Sequence, residues 1–469
     1  MLNGFPPIDE EKADALLAGE LARDHHKLVV LDDDPTGTQT VHNVSVYTGW
    51  DMDSIRAGFA EDSRLFFVLT NSRAMTERQT AAVHREIVRT VAAVSRECGK
   101  PYLILSRSDS TLRGHYPLET EVLREELKAG GMPVDGEILV PFFREGGRFT
   151  INNVHYVLQG DALVPAAQTE FASDRTFGYV HSALPEYIEE KTNGAYRAAD
   201  VTCVSLDSLR SMDIDGVEAQ LMAVRDFGKV CVNAVDACDL KVFCAALYRA
   251  MAKGKHFLFR TAAGLVKIMG GVPDRPLLTH RDLIVCETAR GGVVVVGSHT
   301  QKTTAQLHEL LKLDCVMPVE FDSDKVLQGD EAFSAEVERC VRAEEEIIRS
   351  GKTAVCYTRR NLLTLDNDTK ESALLRSVKI SDGVQSLVVR LSVAPAFVVA
   401  KGGITSSDVG VKALGIKRAN VMGQIRPGIP VWQTGPESRF PQTPYVIFPG
   451  NTGGEATLRE VVEILTDNA

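Results

Sequence analysis

The chain has 469 residues, of which 44% are hydrophobic and 25% charged, and its formal net charge is -11. This length predicts two or three domains, and the acidic balance disfavours a general nucleic-acid binder. No apolar run approaches the roughly 20 residues that a membrane helix needs, and nine scattered cysteines without a CxxC pair favour reduced thiols.

The first half of the chain alternates between helix-like and strand-like stretches. Residues 1–24 are acidic and amphipathic, without a basic n-region or an apolar h-region, so we expect no export signal and a cytoplasmic location. The predicted helices cover 9–24, the stretch ending near 98, and 117–129; the predicted strands cover 27–31, 65–69, 102–105 and 138–141. Such alternation predicts an α/β fold with a largely parallel or mixed sheet, whose ligands lie at the carboxyl ends of the strands.

The stretch VVLDDDPTGTQT places three acids directly after the first strand. Asp, Pro, Thr and Gly are ordinary turn residues, but three adjacent carboxylates repel one another unless a cation or hydrogen-bond donors face them. If the strand alternation persisted to its end, Asp32 and Asp34 would share one side and Asp33 would oppose them. We expect Asp34 to be the catalytic carboxylate, and Asp33 to bind substrate or to order the loop.

Three further polar loops, 70–77, 106–117 and 141–155, also follow predicted strands, so they could converge with 32–40 on one edge of the sheet. Guanidinium groups in these loops suit bidentate capture of a carboxylate or phosphate, while Asp109 competes with Asp34 for the role of base. The alternative is that Arg–Asp pairs tie the loop to itself, or that single arginines are solvated. His155, between apolar neighbours, is interpreted as a hydrogen-bonded strand histidine. The candidate substrate-binding residues are Asp33, Ser72, Arg73, Arg107, Ser110, Arg113 and Arg148.

The Gly/Pro-rich stretch 270–283 predicts a domain boundary, with an N-terminal domain over 1–275 and a C-terminal domain over 284–469. The second half repeats a strand–glycine–helix pattern three times. Glycines at such turns let a ligand approach backbone N–H groups, although each loop taken alone could hold a packing or capping glycine. Together they predict a nucleotide with several phosphates. The candidate residues in these loops are Ser298, Gly402, Gly403, Ile404, Thr405, Gly450 and Gly453.

An acid cluster in one domain and phosphate loops in another are the two halves of a phosphoryl-transfer site. One carboxylate would lie near the acceptor hydroxyl, and others would face Mg²⁺ carried by the nucleotide. The sequence pattern assigns no residues as ligands of the metal.

The chain resembles the four-carbon acid sugar kinase family. The motifs DDDPTGTQT, TNSRA, SRSDSTLRG, PFFREGGRFTINNVHYV, TEFASD, FRTAAGLV, VVGSHTQKTTAQL, KGGITSSDVG and GNTGG occur in the order seen in that family, from about residue 27 to about 465. The DDxTG pattern falls on Asp33, Asp34, Thr36 and Gly37. The family's usual Lys before DSTLRG is replaced here by Arg107, with Ser108 between.

The resemblance implies an acid-sugar-binding domain followed by a nucleotide-binding domain. It implies an ATP-dependent phosphotransferase with an alcohol group as acceptor, acting on the terminal hydroxyl of acids such as threonate, erythronate or 3-oxo-tetronate. Its nucleotide contacts fall on Ser298, on Gly402 through Thr405, and on Gly450. We expect catalysis in a cleft between the domains, small-molecule partners, no nucleic acid and no membrane; a homo-oligomer is compatible with the sequence.

Two alternatives remain at this stage. One is a nucleotide-gated binding or effector protein that has kept both pockets and lost turnover. The other is a dinucleotide-dependent oxidoreductase, which the lack of a GxGxxG with a following acid disfavours.

Overall fold

The computed structural model describes residues 4–284, 288–361, 363, 365, 368, 370–450 and 452–467, and side chains 370–374 lie outside the description. The chain forms two compact units, Met1–Asp274 and Arg275–Ala469. Each unit has a sheet flanked by helices, so the predicted α/β class with a parallel or mixed sheet is confirmed. None of the helices in the described ranges is long and apolar enough to cross a membrane.

The first unit alternates strands and helices along the chain. Its strands are β1 Lys27–Asp32, β2 Val44–Tyr47, β3 Leu65–Leu69, β4 Tyr102–Arg107, β5 Gly136–Val140, β6 Arg148–Ile151, β7 Val154–Gln159, β8 Ala162–Pro165, β9 Thr202–Val204, β10 Gly228–Val232 and β11 Phe257–Thr261. Its helices are α1 Glu10–Leu21, α2 Met52–Ala60, α3 Glu77–Cys98, α4 Leu118–Ala129, α5 Leu184–Lys191, α6 Leu206–Arg210, α7 Ile214–Ala223, α8 Ala237–Ala252 and α9 Ala263–Met269.

The main sheet of this unit is parallel, with strand order β2-β3-β1-β4-β11-β5-β10-β9. Its central strands are buried on both faces, which is why β1 is apolar over four consecutive residues instead of alternating. Helix α3 begins with a capping box at Thr76 and Gln79 and ends at Gly99, whose φ of 64° suits glycine.

A smaller antiparallel sheet, β6-β7-β8, lies in the segment that the sequence pattern predicts as a polar loop over 141–155. That prediction is wrong for 148–151 and 154–155, which are strand residues. The alternation of Phe149 and Ile151 with polar residues was a strand signal, and the turn residues Asn152 and Asn153 between the two strands obscured it.

The second unit contains a mixed sheet with strand order β13-β14-β12-β15-β18-β17-β16. The pairs from β13 to β18 are parallel, and β18-β17-β16 is antiparallel. Its strands are β12 Val293–Val296, β13 Val316–Phe321, β14 Thr353–Thr358, β15 Val398–Lys401, β16 Arg418–Arg426, β17 Ile429–Thr434 and β18 Pro444–Phe448. Its helices are α10 His280–Leu283, α11 Gln301–Leu310, α12 Asp330–Arg349, α13 Lys370–Val389, α14 Gly403–Asp408 and α15 Thr457–Thr466.

Candidate functional site

The acidic and basic loops of the first unit start at the same level of the parallel sheet. Asp32, the last residue of β1, pairs in register with Leu69 of β3 and Arg107 of β4, and Arg107 pairs with Thr261 of β11. The loops that follow these strands therefore begin side by side at the carboxyl edge, where parallel sheets bind ligands.

Arg73 binds the acid cluster that follows β1. Its Nε and Nη2 atoms donate to Asp33 Oδ2 and Oδ1 at 3.2 and 2.7 Å, and its Nη1 lies 3.3 Å from Asp34 Oδ2. Ser108 Oγ also donates to Asp33 Oδ2 at 2.7 Å. Asp33 and Asp34 thus share one guanidinium. The strand ends at Asp32, so the alternation that would have placed their side chains on opposite sides does not extend to these two residues.

Arg107 is committed to Asp32 inside the sheet. Its side chain is 4% exposed, and its Nη1 lies 2.9 Å from Asp32 Oδ1 and 3.5 Å from Asp33 Oδ1. Strand β4 runs two residues further than the pattern predicts, which makes Arg107 a buried strand residue. The guanidinium that we expected to grip a substrate carboxylate is therefore already engaged by the protein's own acids.

The environment of Asp32 reduces the repulsion among the three adjacent carboxylates. Burial raises the pKa of Asp32 to about 7, with the charges of Asp33 and Asp34 adding to the shift and Arg107 opposing it. Gly37 lies over this carboxyl group, since a Cβ at that position would come within 2.1 Å of Asp32 Oδ2. One proton near neutral pH and two guanidinium groups together relieve the repulsion of the three adjacent acids.

Asp34 is the most accessible acid of the cluster. Its side chain is 14% exposed, against 2% for Asp33. It caps the turn that follows β1, where its Oδ1 accepts from the backbone N–H of Thr36 at 2.8 Å. Burial acts to raise the pKa of Asp34, but Arg73 and the Thr36 donors outweigh it and hold the pKa below its usual value. Asp34 is therefore an ionised acceptor at neutral pH.

Asp109 forms a second cluster with two arginines and an aromatic ring. Arg113 Nε donates to Asp109 Oδ2 at 2.6 Å, and Thr111 Oγ1 donates to the same oxygen. Burial acts to raise the pKa of Asp109, but Arg113 and Arg73 hold it well below its usual range. The pairing of Asp109 with Arg113 matches the alternative in which the loop is tied to itself.

Arg148, at the start of β6, shares the ring of Phe171 with Arg113. The guanidinium carbons of Arg113 and Arg148 lie 5.1 and 5.6 Å from the ring centroid. Within the described part of the chain, no carboxylate or hydrogen-bond acceptor partners the Arg148 guanidinium, and its Nε is buried without an acceptor. Burial lowers the pKa of Arg148, Asp109 opposes the shift and Arg113 adds to it.

Two buried charges beneath these loops were missed from the sequence. Arg260 Nη1, on β11, donates to Glu119 Oε2 and to Ser106 Oγ, the latter at 3.2 Å. Ser72, expected to contact substrate, is fully buried, and its Oγ donates to Glu119 Oε1 at 2.6 Å. The signal was an arginine directly after the apolar run FLF of strand β11.

His155 and Ser110 support the Asp109 loop from below. His155 Nε2 donates to the Ser110 carbonyl oxygen at 2.8 Å, and Thr150 Oγ1 donates to His155 Nδ1 at 3.0 Å. Burial lowers the pKa of His155 to about 4. The interpretation of His155 as a hydrogen-bonded strand histidine agrees with these contacts, and Ser110 contributes its carbonyl to the fold.

We predict that His155 makes the unit sensitive to acid. The unfolded chain binds a proton at this residue near pH 6.5, whereas the folded chain binds it near pH 4, so stability is lost as the pH falls through this window. The shift corresponds to about 3 kcal/mol. Urea unfolding at pH 7.5 and pH 4.5 should show a smaller loss in His155→Gln than in the wild type, and equal losses would contradict the prediction.

The glycine loops of the second unit also start at one level. Val296 of β12 pairs with Lys401 of β15, which pairs with Phe448 of β18. A Cβ on Gly297 would lie 2.5 Å from Thr405 Oγ1, and one on Gly402 would lie 3.3 Å from the same atom. Gly402 also has a φ of 123°, which favours glycine.

The other predicted nucleotide residues border these loops. Ser298 Oγ accepts from Thr303 Oγ1 at 3.3 Å, Gly403 and Ile404 open α14, and Ile404 is 69% exposed. Gly450 has open space around it, with no atom within 4 Å of an added Cβ. Gly453 has a φ of 79° and would meet Thr457 if it carried a Cβ. Asn451 lies outside the described residues.

Two polar side chains fix the ends of these loops and were not predicted. Gln306 Nε2, on α11, donates to the carbonyl oxygens of Thr452 and Gly454 at 3.1 and 2.8 Å. Arg360, after β14, donates through Nη2 to the Ser298 carbonyl oxygen and to Thr304 Oγ1, the latter at 3.0 Å. Two adjacent arginines directly after the apolar stretch that forms β14 were the available signal for Arg360.

Family models match both units. A model of a sugar-binding N-terminal domain matches residues 28–269, and a model of a nucleotide-binding C-terminal domain matches residues 293–458. These two domains in this order are the architecture of one family of carbohydrate kinases. The chain belongs to the four-carbon acid sugar kinase family.

Solved structures share the fold of this four-carbon acid sugar kinase family member. A Salmonella typhimurium LT2 protein, crystallised as a suspected tRNA synthase, aligns with a TM-score of 0.65 and 16% identity over 92% of this chain and 98% of its own. A Haemophilus influenzae protein of family DUF1537 aligns with a TM-score of 0.59 and 17% identity over 93% of this chain and 100% of its own. No curated protein matches the sequence.

Proposed function

We propose that this protein is an ATP-dependent kinase that phosphorylates the terminal hydroxyl of a small, four-carbon sugar acid or oxo-acid. The sugar-binding and nucleotide-binding domains support a carbohydrate kinase. The observation that carries the acid specificity is the unpartnered guanidinium of Arg148 in a chain of net charge -11. A local cation of this kind is what a carboxylate ligand needs.

In this proposal Asp34 is the acceptor for the substrate hydroxyl. As the hydroxyl oxygen bonds to the transferred phosphorus and the bond to the leaving ADP breaks, the hydroxyl proton passes to Asp34. Asp33 holds Arg73 and Ser108, and so orders the loop around Asp34. Asp109, which interacts electrostatically with the same Arg73, is the competing candidate for the base.

The second unit would hold the nucleotide. The open space at Gly450 fits a ligand that approaches the backbone closely, whereas Gly297 and Gly402 let the two neighbouring loops pack together against Thr405. We assign its contacts to Ser298, Gly402 through Thr405, Gly450 and Gly453. ATP supplies the phosphoryl group, and we propose that Mg²⁺ arrives with it, bound by the phosphate oxygens.

We predict that Arg148→Gln raises the KM for the acid by about 10- to 150-fold, because a charged hydrogen bond contributes about 1.5–3 kcal/mol. The KM for ATP should change little. Initial-rate kinetics with each substrate varied in turn would measure both constants.

Arg144→Gln is the matched control for this test. Arg144 lies four residues earlier and is exposed, with an ion pair to Asp236 at 2.6 Å. It should leave both KM values near those of the wild type. Equal increases of the two KM values in Arg148→Gln would place its role in the fold or in nucleotide binding.

An ADP-release assay over a panel of four-carbon aldonic and oxo-acids tests the proposed function itself. We expect acid-dependent ADP release with at least one of them, and weaker release with the matching uncharged polyols. Binding of acid and Mg-ATP without release would favour the effector alternative.

A further inference from the structure

Lys401 is a buried lysine directly before the central glycine loop of the second unit. Its exposed fraction is 0%, and its Nζ donates to the carbonyl oxygens of Pro449 and Gly450 at 2.7 and 3.1 Å. The same Nζ lies 4.2 Å from the ring centroid of Phe448. Across the described residues, no carboxylate pairs with this ammonium group.

An ammonium group in this position is expensive for the fold. Burial lowers the pKa of Lys401 to about 7, and the charge of Lys302 on α11 adds to the shift; among the described residues, Lys302 is the charged group that acts on it. A buried cation without a carboxylate is normally replaced by an apolar residue or neutralised. Lys401 instead joins the two loops to which we assign the nucleotide.

We infer that Lys401 is a positioning residue for the nucleotide: its ammonium holds 449–450 against the strand that leads into 402–405, and its charge lies beneath the phosphates. This inference rests on the proposed nucleotide site. Lys401 is too deeply buried to touch the ligand. It acts by fixing the carbonyls of Pro449 and Gly450, and hence the backbone N–H group of Gly450, and by supplying a positive charge in a low-dielectric environment.

Nucleotide binding should change the protonation of Lys401. A polyphosphate anion near Lys401 favours the charged ammonium, so nucleotide binding at pH 8 should be accompanied by proton uptake. The phosphates themselves are fully ionised there, because their second pKa is about 6. Calorimetry of Mg-ATP binding to the full chain, in buffers of different ionisation enthalpy, measures this uptake without any turnover.

Lys27 provides a matched control at the opposite end of a strand. It is also buried, its Nζ donates to the carbonyl oxygens of Glu61 and Ser63 at 2.7 and 2.5 Å, and burial lowers its pKa to about 8. It opens β1, at the edge of the sheet away from the acidic loops. Lys27→Met should lower the Tm and leave Mg-ATP affinity and proton uptake unchanged.

For Lys401→Met we expect the Kd for Mg-ATP to rise by about 10- to 100-fold and the proton uptake at pH 8 to be lost, while the KM for the acid stays near wild type. Wild-type affinity and uptake in a folded Lys401→Met protein would overturn the inference. So would the absence of proton uptake in the wild type, which needs no variant. A wild-type protein that binds no Mg-ATP would overturn the proposed function as well.

Discussion

Asp34→Asn is expected to lower kcat by about 10²–10⁴, the usual effect of removing a general base. The substitution is nearly isosteric, and the asparagine Oδ1 can still accept from the backbone N–H of Thr36, so the turn should persist. The lost charge weakens the contact with Arg73, which also keeps its bidentate pair with Asp33. Steady-state kinetics, with the Tm and Mg-ATP affinity measured on the same sample, would test this.

Two further variants control for the change in net charge and distinguish Asp34 from the competing candidate base. Asp161→Asn, at an exposed turn between β7 and β8, changes the net charge equally and should leave kcat unchanged. Asp109→Asn removes the competing carboxylate. If Asp34→Asn keeps near-normal kcat while Asp109→Asn loses it, the base is Asp109, and the acid cluster after β1 serves to order the loop around Arg73.

The alternation of strands and helices made the fold class predictable from sequence. Parallel strands buried on both faces give short apolar runs, and the polar residues that follow them collect at one sheet edge whatever the strand order. The predicted convergence of Asp33, Asp34 and Arg73 agrees with their hydrogen bonds. The antiparallel β16–β17 pair was missed, because its residues lie outside the strand–glycine–helix pattern.

The sequence did not predict which charged residues pair with one another. Arg107 and Arg148 both follow or border apolar stretches and look equivalent in one dimension. In the structure, β4 extends two residues further than predicted and Arg107 pairs with Asp32, while Arg148 contacts the ring of Phe171 and has no hydrogen-bond or ion-pair partner among the described residues. Which arginine lacks an ion-pair partner depends on where a strand ends to within two residues. Local propensity does not fix strand ends that accurately.

Buried pairs of charged residues were the second feature that the sequence did not predict. Glu119 lies on an amphipathic helix, where an acid is ordinarily solvated, and Arg260 lies at the end of a strand. Neither position indicates the other, since 141 residues separate them along the chain. A charged residue within a fully buried strand does indicate that some partner exists, because an unpaired buried charge is strongly destabilising.

Gly450→Val is expected to abolish the thermal stabilisation by Mg-ATP without destabilising the free protein. Nothing lies within 4 Å of a Cβ at this position, and no left-handed φ requires glycine there, so the fold accommodates a side chain. The carbonyl oxygen of residue 450 can still accept from Lys401. The added methyl groups would fill the space through which a phosphate approaches the backbone. At 100 times its Kd, a ligand adds about 2.7 kcal/mol of stability, which raises the Tm by on the order of 5 °C.

Substitutions at two other glycines show why Gly450 is the better test and provide its control. Gly402→Ala would force a side chain onto a φ of 123° and against Thr405, so a loss of binding there could reflect a damaged loop. Gly19→Val, in α1, also meets no atom within 4 Å and should keep the full Mg-ATP shift. If Gly450→Val keeps that shift too, the phosphates do not approach 449–450, and the remaining candidate nucleotide contacts are Ser298, the 402–405 loop and Gly453.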